Sequence, residues 1–188
     1  MEIYIDKTKL LTDKDVPTNY WNLIDNSADF SKIAAGFGTL SDKKTPNGNT
    51  AMSKDKAWDY PQLSSQVEKD MVYTFSYQLY IPQNFNGSMQ LFGDNNYAIV
   101  NNGYIDLNTI AANQWIRNYC VFLSKVTGKI DLGLSASANG LCYFGDYMLN
   151  KGTVALDWNY SLNDIKSKLG GVNPSYRLYY AASVKEVA

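Results

Sequence analysis

Between residues 115 and 158 the sequence WIRNYCVFLSKVTGKIDLGLSASANGLCYFGDYMLNKGTVALDW alternates or turns and never takes a helical period. No other feature limits the fold as much. Over the first eight residues, Ile116, Cys120 and Phe122 fall on one side with Asn118, and Trp115, Arg117, Tyr119 and Val121 on the other. That is a strand with two occupied faces. Thr127-Gly128-Lys129 turns the chain into a second strand, where Ile130, Leu132 and Leu134 oppose Asp131, Gly133 and Ser135. Asn139-Gly140 turns it again. A third run, LCYFGDYML, leads into Asn150-Lys151-Gly152 and then TVALDW.

The clearest single strand is MVYTFSYQLYI, residues 71–81, where Tyr73, Phe75, Tyr77 and Leu79 alternate with Thr74, Ser76, Gln78 and Tyr80. The first set reads as core and the second as a polar stripe ending in an aromatic. SMQLFG and YAIVNNGYIDL add strands, the latter expected to fold into a hairpin at Asn101-Asn102-Gly103. Turns at this frequency predict an all-β chain: a two-sheet jelly-roll β-sandwich with Phe75, Tyr77, Leu79, Ile116, Phe122, Leu132, Leu134, Phe144 and Leu149 between the sheets. Residues 1–18 read as an N-terminal arm, either an attachment to a neighbour or an extra edge strand. Residues 19–160 form the domain. Residues 161–188 carry one short helix, with Ser161 and Asp164 in capping-box spacing and Gly170-Gly171 as its stop, and then a final strand, YRLYYAASV.

Composition removes whole classes of function. The 188 residues contain no histidine, which takes away the commonest general base, the usual zinc ligand and every Ser-His-Asp or Cys-His nucleophile. No paired-carboxylate motif supports glycoside hydrolysis either, so the chain is not expected to be an enzyme. With a net charge of −1 and Arg117 and Arg177 as its arginines, it lacks the footprint of a nucleic-acid binder. No apolar run is long enough for a transmembrane helix, and the first residues, alternating and charged, do not read as a signal peptide. Cys120 and Cys142 both fall on inward sets, as buried free thiols or as a disulfide across the core.

Two segments bracket a resemblance. Near the start stands Asn22-Leu23-Ile24-Asp25-Asn26-Ser27-Ala28-Asp29-Phe30; near the end, Met148-Leu149-Asn150-Lys151-Gly152-Thr153-Val154-Ala155-Leu156-Asp157-Trp158. Over residues 19–160 the order and separation of these segments resemble the carbohydrate-binding-module-like jelly rolls in tail and baseplate proteins of phages infecting Gram-positive bacteria. There a Leu-Glu-Lys-Gly segment precedes Ala-x-Asp-Trp; here Asn150 stands in the Glu place. The resemblance implies a virion protein whose partners are host cell-wall polysaccharide and other phage tail subunits. It also implies a structural calcium at Asp25, Asn26, Asp29 and Asp146, whose oxygens suit a hard cation; the alternative is a set of Asx turns capped by their own side chains.

Sugar recognition calls for an open aromatic to stack on a pyranose and amides or guanidinium to meet its hydroxyls. The 15 Tyr, 7 Phe and 4 Trp, with Asn in most turns, supply both, though ordinary β proteins share that composition. The candidates are Gln78 and Tyr80 on one strand, Arg117 and Tyr119 on the next, Tyr143 on a third, and Trp58 with Tyr60 in the loop before Pro61. Trp115 reads as a seal at the core edge or a further platform, and the Trp58-Tyr60 pair either stacks on sugar or plugs one end of the sandwich. The competing role is a structural or assembly module of the tail, its aromatics occluded and without a sugar site.

Overall fold

A computed structural model describes residues 21–168 except 34, 37, 93 and 94, together with residues 4–5 and 8–9. Among the described residues, strands β1 (Tyr4–Ile5) and β2 (Thr8–Lys9) pair with each other and with no other strand. The domain is built from β3 (Ala35–Gly36), β4 (Thr39–Lys44), β5 (Thr50–Lys54), β6 (Pro61–Val67), β7 (Val72–Tyr80), β8 (Ser88–Phe92), β9 (Tyr97–Asn101), β10 (Tyr104–Asp106), β11 (Trp115–Ser124), β12 (Gly128–Ala136) and β13 (Cys142–Lys151). Five of these form a sheet in the order β10-β8-β12-β6-β3 and six form another in the order β4-β5-β13-β7-β11-β9. From β5 to β13 every successive strand lies in the opposite sheet, so the chain winds around the core as a jelly-roll sandwich.

That winding corrects one expectation. The Asn101-Asn102-Gly103 step does not close a hairpin: β9 pairs with β11, whereas β10 pairs with β8 in the other sheet. Asn102, at φ 53°, makes a corner that carries the chain across the edge and lets Ile105 and Leu107 enter the core. Local turn chemistry sets where the chain bends, while burial of the residues beyond the bend decides which sheet receives them.

The expected core residues lie between the sheets, Ile116 partly covered and the other eight buried. Tyr73 stacks on Phe122 with centroids 5.7 Å apart, and Tyr147 meets Phe30 and Phe75 edge-on at 5.2 and 5.0 Å. Phe144 and Leu149 are an odd number of positions apart yet both point inward. A β-bulge explains this: against β7, Gly145 faces Gln78 but Met148 faces Ser76, so β13 carries one extra residue. Strict alternation would have turned Asp146 and Asn150 into the apolar core. The bulge, with Asp146 at φ 52°, turns Tyr147 and Leu149 inward instead.

Helix α1 (Leu162–Lys168) starts at the expected cap, where Ser161 Oγ accepts the Asp164 N–H at 3.0 Å. Asp164 does not complete a capping box. Its carboxylate accepts the Asn26 N–H at 2.9 and 3.0 Å, tying the helix to the first loop of the domain. The expected final strand lies outside the described residues.

Candidate functional site

The polar stripe of β7 divides into two halves. Thr74 and Ser76 are buried, although they face away from the core, because residues 152–158 fold back over that part of the six-stranded sheet. Hydrogen bonds hold this strap in place. Thr74 Oγ1 donates to the Gly152 carbonyl at 2.7 Å, Asn150 Nδ2 to the Val154 carbonyl at 2.9 Å, and Trp158 Nε1 to Ser27 Oγ at 3.1 Å. Arg117 grips it from β11, its guanidinium on the Asp157 carboxylate at 2.8 Å and on the Leu156 carbonyl.

Past the strap the face opens. Register places Tyr143 of β13 and Trp115 of β11 on either side of Tyr80, with ring centroids 5.8 and 5.6 Å from it. The row Tyr143-Tyr80-Trp115 thus spans two strand spacings, about 10 Å. One step toward the strap, Gly145, Gln78 and Arg117 form the next row. Beside it lies a cavity of about 250 Å³ between the strap and the 45–49 turn, lined by Asn47, Gln78, Arg117, Asp146, Asp157 and Trp158 among others. Gly145 has to lack a side chain: a Cβ there would stand 2.5 Å from the Thr45 methyl.

The turn that walls this cavity is pinned from beneath. Asp146 is 2% exposed, and its carboxylate accepts from Thr45 Oγ1 at 2.8 Å, Asn49 Nδ2 at 2.6 Å and Asn47 Nδ2 at 2.7 Å. At the β4 edge of the sheet, a second bulge between Ser41 and Lys44 re-aims Lys43 across β5 and β13. Its ammonium rests 3.8 Å from the Tyr80 ring centroid and 5.4 Å from that of Tyr143. Asn113 completes this end, its Oδ1 3.4 Å from the Tyr80 hydroxyl.

Of the residues expected to bind sugar, Gln78, Tyr80, Arg117 and Tyr143 come together on this face, and Trp115 joins them as a platform. Tyr119 lies one row further, opposite the buried Ser76, at the strap. Trp58 and Tyr60 belong to the loop between β5 and β6; the Trp58 N–H donates to the Ala136 carbonyl at 2.9 Å, and its side chain is 49% exposed. They share an end of the sandwich with Tyr80 without being part of its row. Lys43 and Asn113 were not expected. Asn113 follows a turn without any sugar-binding pattern, and Lys43 sits in a DKK run that reads as a solvated turn.

The four residues expected to hold calcium are divided between two places. Asp146 belongs to the 45–49 turn, while Asp25 accepts from Asn163 Nδ2 at 2.9 Å, Asp29 from the Ser31 N–H at 2.9 Å, and the Asn26 N–H is bound by Asp164. Protein donors occupy both oxygens of Asp146 and one oxygen each of Asp25 and Asp29, and among the described residues no group of three or more His, Cys, Asp or Glu is gathered for a metal ion. Burial pushes the Asp164 pKa up, against the opposing pull of the Asn26 N–H and the Ser161 hydroxyl. The cysteines are both free thiols. Cys120 stands opposite Phe75 in mid-sheet and Cys142 opposite Lys54 at the strand's start, and burial raises both pKa values to about 12.

No family model matches the sequence, nor does any curated protein. Solved structures with some likeness include the CBM6 carbohydrate-binding module from Cellvibrio mixtus lichenase 5A in complex with cellotriose (14% identity, 72% of this chain and 100% of that chain, TM-score 0.45). The CBM22-1–GH10 modules of Clostridium thermocellum xylanase 10B, complexed with xylohexaose, are 12% identical over 61% of this chain and 24% of that chain, with TM-score 0.45. The tripod from the baseplate of bacteriophage Tuc2009 is 17% identical over 77% of this chain and 60% of that chain, with TM-score 0.46.

Proposed function

We propose that this chain is a non-catalytic carbohydrate-binding module of a phage tail or baseplate adhesion protein, which takes host cell-wall or surface polysaccharide on the outer face of its six-stranded sheet. The observation that carries the reading is the Tyr143-Tyr80-Trp115 row beside a polar cavity. Its rings offer apolar faces to pyranose C–H groups, and Gln78 and Asn113 offer amides to the hydroxyls. Because the rows lie on strands of one sheet, and Asp146 and Arg117 pin the turn and strap that wall the cavity, the surface is pre-formed and little entropy is lost on binding. The role is binding: of the carboxylates lining the groove, Asp146 is filled by three donors and Asp157 is paired with Arg117. A single site of this kind holds weakly, and many copies on one particle would raise the effective affinity through avidity. The phage setting, with virion location and tail subunits as partners, is supported by the sequence segments at 22–30 and 148–158.

Affinity electrophoresis and calorimetry of the purified chain against wall polysaccharides of Gram-positive bacteria test this. Tyr80→Ala combined with Tyr143→Ala, once circular dichroism establishes that the variant is folded, should weaken binding at least about tenfold, equivalent to about 1.4 kcal/mol. Unchanged affinity in the folded variant would remove the row from the site. A second reading, an assembly module of the tail, is favoured by one observation: edge strands β9 and β10 expose Ile99, Val100 and Tyr104 at 44, 59 and 75%. Failure to bind any wall polysaccharide, together with oligomers lost on Val100→Asp, would favour that reading.

A further inference from the structure

Tyr80, the centre of the row, is covered by a cation. Lys43 reaches it from the β4 bulge, where its own N–H is fixed on Ser41 Oγ at 3.0 Å. The ion pairs among the described residues are Arg117–Asp157, Lys129–Asp131 and Lys151–Glu68. Lys43 is in none of them. Its ammonium has two rings for company and, among the described residues, no carboxylate within ion-pair distance. The other charges of the groove sit toward the strap: Asp146 beneath the 45–49 turn, and Arg117 with Asp157. The aromatic end therefore carries a positive charge that is in no ion pair among the described residues, whereas Arg117 at the strap end is paired with Asp157.

A sugar ring that stacks on Tyr80 has to move that ammonium aside. A neutral sugar gives up the cation–π contact and offers hydroxyls in return. An acidic one offers a carboxylate or phosphate oxygen, and a charge-assisted hydrogen bond to an anion is the stronger partner for an ammonium. Resting on the proposed sugar-binding face, we propose that it selects anionic glycans, the acidic group lying at the Tyr80–Tyr143 end, where it replaces the rings as the partner of Lys43. The uncharged part of the glycan then runs past Gln78 toward the cavity, where Asp146 and Asp157 disfavour a second acidic group.

Matched pairs test this in calorimetry: polygalacturonate against its carboxyl-reduced neutral form, phosphomannan against the mannan left after phosphate removal, and a Gram-positive wall polysaccharide as the common reference. The first pair reads the carboxylate and the second the phosphate. The acidic member of at least one pair is expected to bind about tenfold tighter, and the advantage should shrink as salt is added. Lys43→Gln should abolish the difference while still binding the neutral member, since Tyr80 is then uncovered. Equal binding of acidic and neutral members by the wild type, or a preference that persists in Lys43→Gln, overturns the anionic selection and leaves the sugar-binding face standing. If no polymer binds, the sugar-binding reading fails and this inference falls with it.

Discussion

Replacing Asp146 tests how the wall of the candidate groove is held. The carboxylate is buried, sits in a left-handed backbone conformation, and accepts from Thr45, Asn47 and Asn49. Asn47 is exposed and will find water when the acceptor is lost; Thr45 and Asn49 are 5% and 7% exposed and will not. Each hydrogen bond to a charged group contributes roughly 1.5–3 kcal/mol net. Alanine also brings a left-handed cost of roughly 1–2 kcal/mol. These terms share partners and do not add fully, so Asp146→Ala should cost about 3–5 kcal/mol. Asn tolerates the left-handed backbone and keeps one acceptor oxygen, and Asp146→Asn should cost about 1.5–3 kcal/mol. For a domain of this size each kcal/mol lowers Tm by roughly 2–4 °C. Urea unfolding of both variants beside the wild type gives the values. Losses under about 0.5 kcal/mol in both would refute the reasoning, since surface changes commonly fall in that range. If the pinning is right, Asp146→Asn should also weaken sugar binding, because Asn47 on the pinned turn lines the cavity.

Three further outcomes are expected. Thiol reagents at neutral pH should leave Cys120 and Cys142 unmodified in the native protein and label both in denaturant; rapid native labelling would contradict their burial. The same two thiols carry a pH dependence: unfolding frees them to ionise near 9, while the fold holds their protons to about 12. The unfolded chain then binds fewer protons, and their contribution to stability, fully present below pH 9, should be lost as pH rises through this window; replacing both with Ala should flatten that part of the urea-midpoint profile. Because protein donors fill the Asp146 and Asp164 carboxylates, Tm should not move on adding EDTA, and a fall reversed by calcium would mean that a cation takes part in holding these loops.

Alternation made the faces of β7 and β11 legible because one side of each is buried, and burial ties residue type to parity. Phe75, Tyr77 and Leu79, or Cys120 and Phe122, could not face outward without exposing the core. Which strand pairs with which was not legible. The Asn101-Asn102-Gly103 step reads as a hairpin from its turn chemistry alone, yet whether β10 continues beside β9 depends on Ile105 finding Met89 in the other sheet. The strap was hidden for a related reason. TVALDW has the period of a strand, and contacts distant in sequence, Thr74 on Gly152 and Arg117 on Leu156 and Asp157, make it a cover for another strand's polar stripe. Ser161 at the helix cap was readable because its bond is local; Asp164's partner Asn26 lies 138 residues away.

Two of the residues that give the groove its charge share one origin. Asp146 and Lys43 both sit in β-bulges, on β13 and β4, where the chain departs from the period that identifies strands. In a regular strand a charged side chain has two choices, the core or the open face directly above its own position. A bulge adds a third, because the extra residue twists the strand and points the side chain along the sheet. Asp146 uses it to reach under the 45–49 turn, and Lys43 uses it to reach over Tyr143 to Tyr80. The hydrophobic pattern thus accounts for the platform and the irregularities for its electrostatics. Deleting both Asp42 and Lys43, the two extra residues of the β4 bulge, should restore a regular β4 and remove the ammonium from Tyr80 without touching the aromatic row. The binding surface would then keep its rings and lose the charge above them.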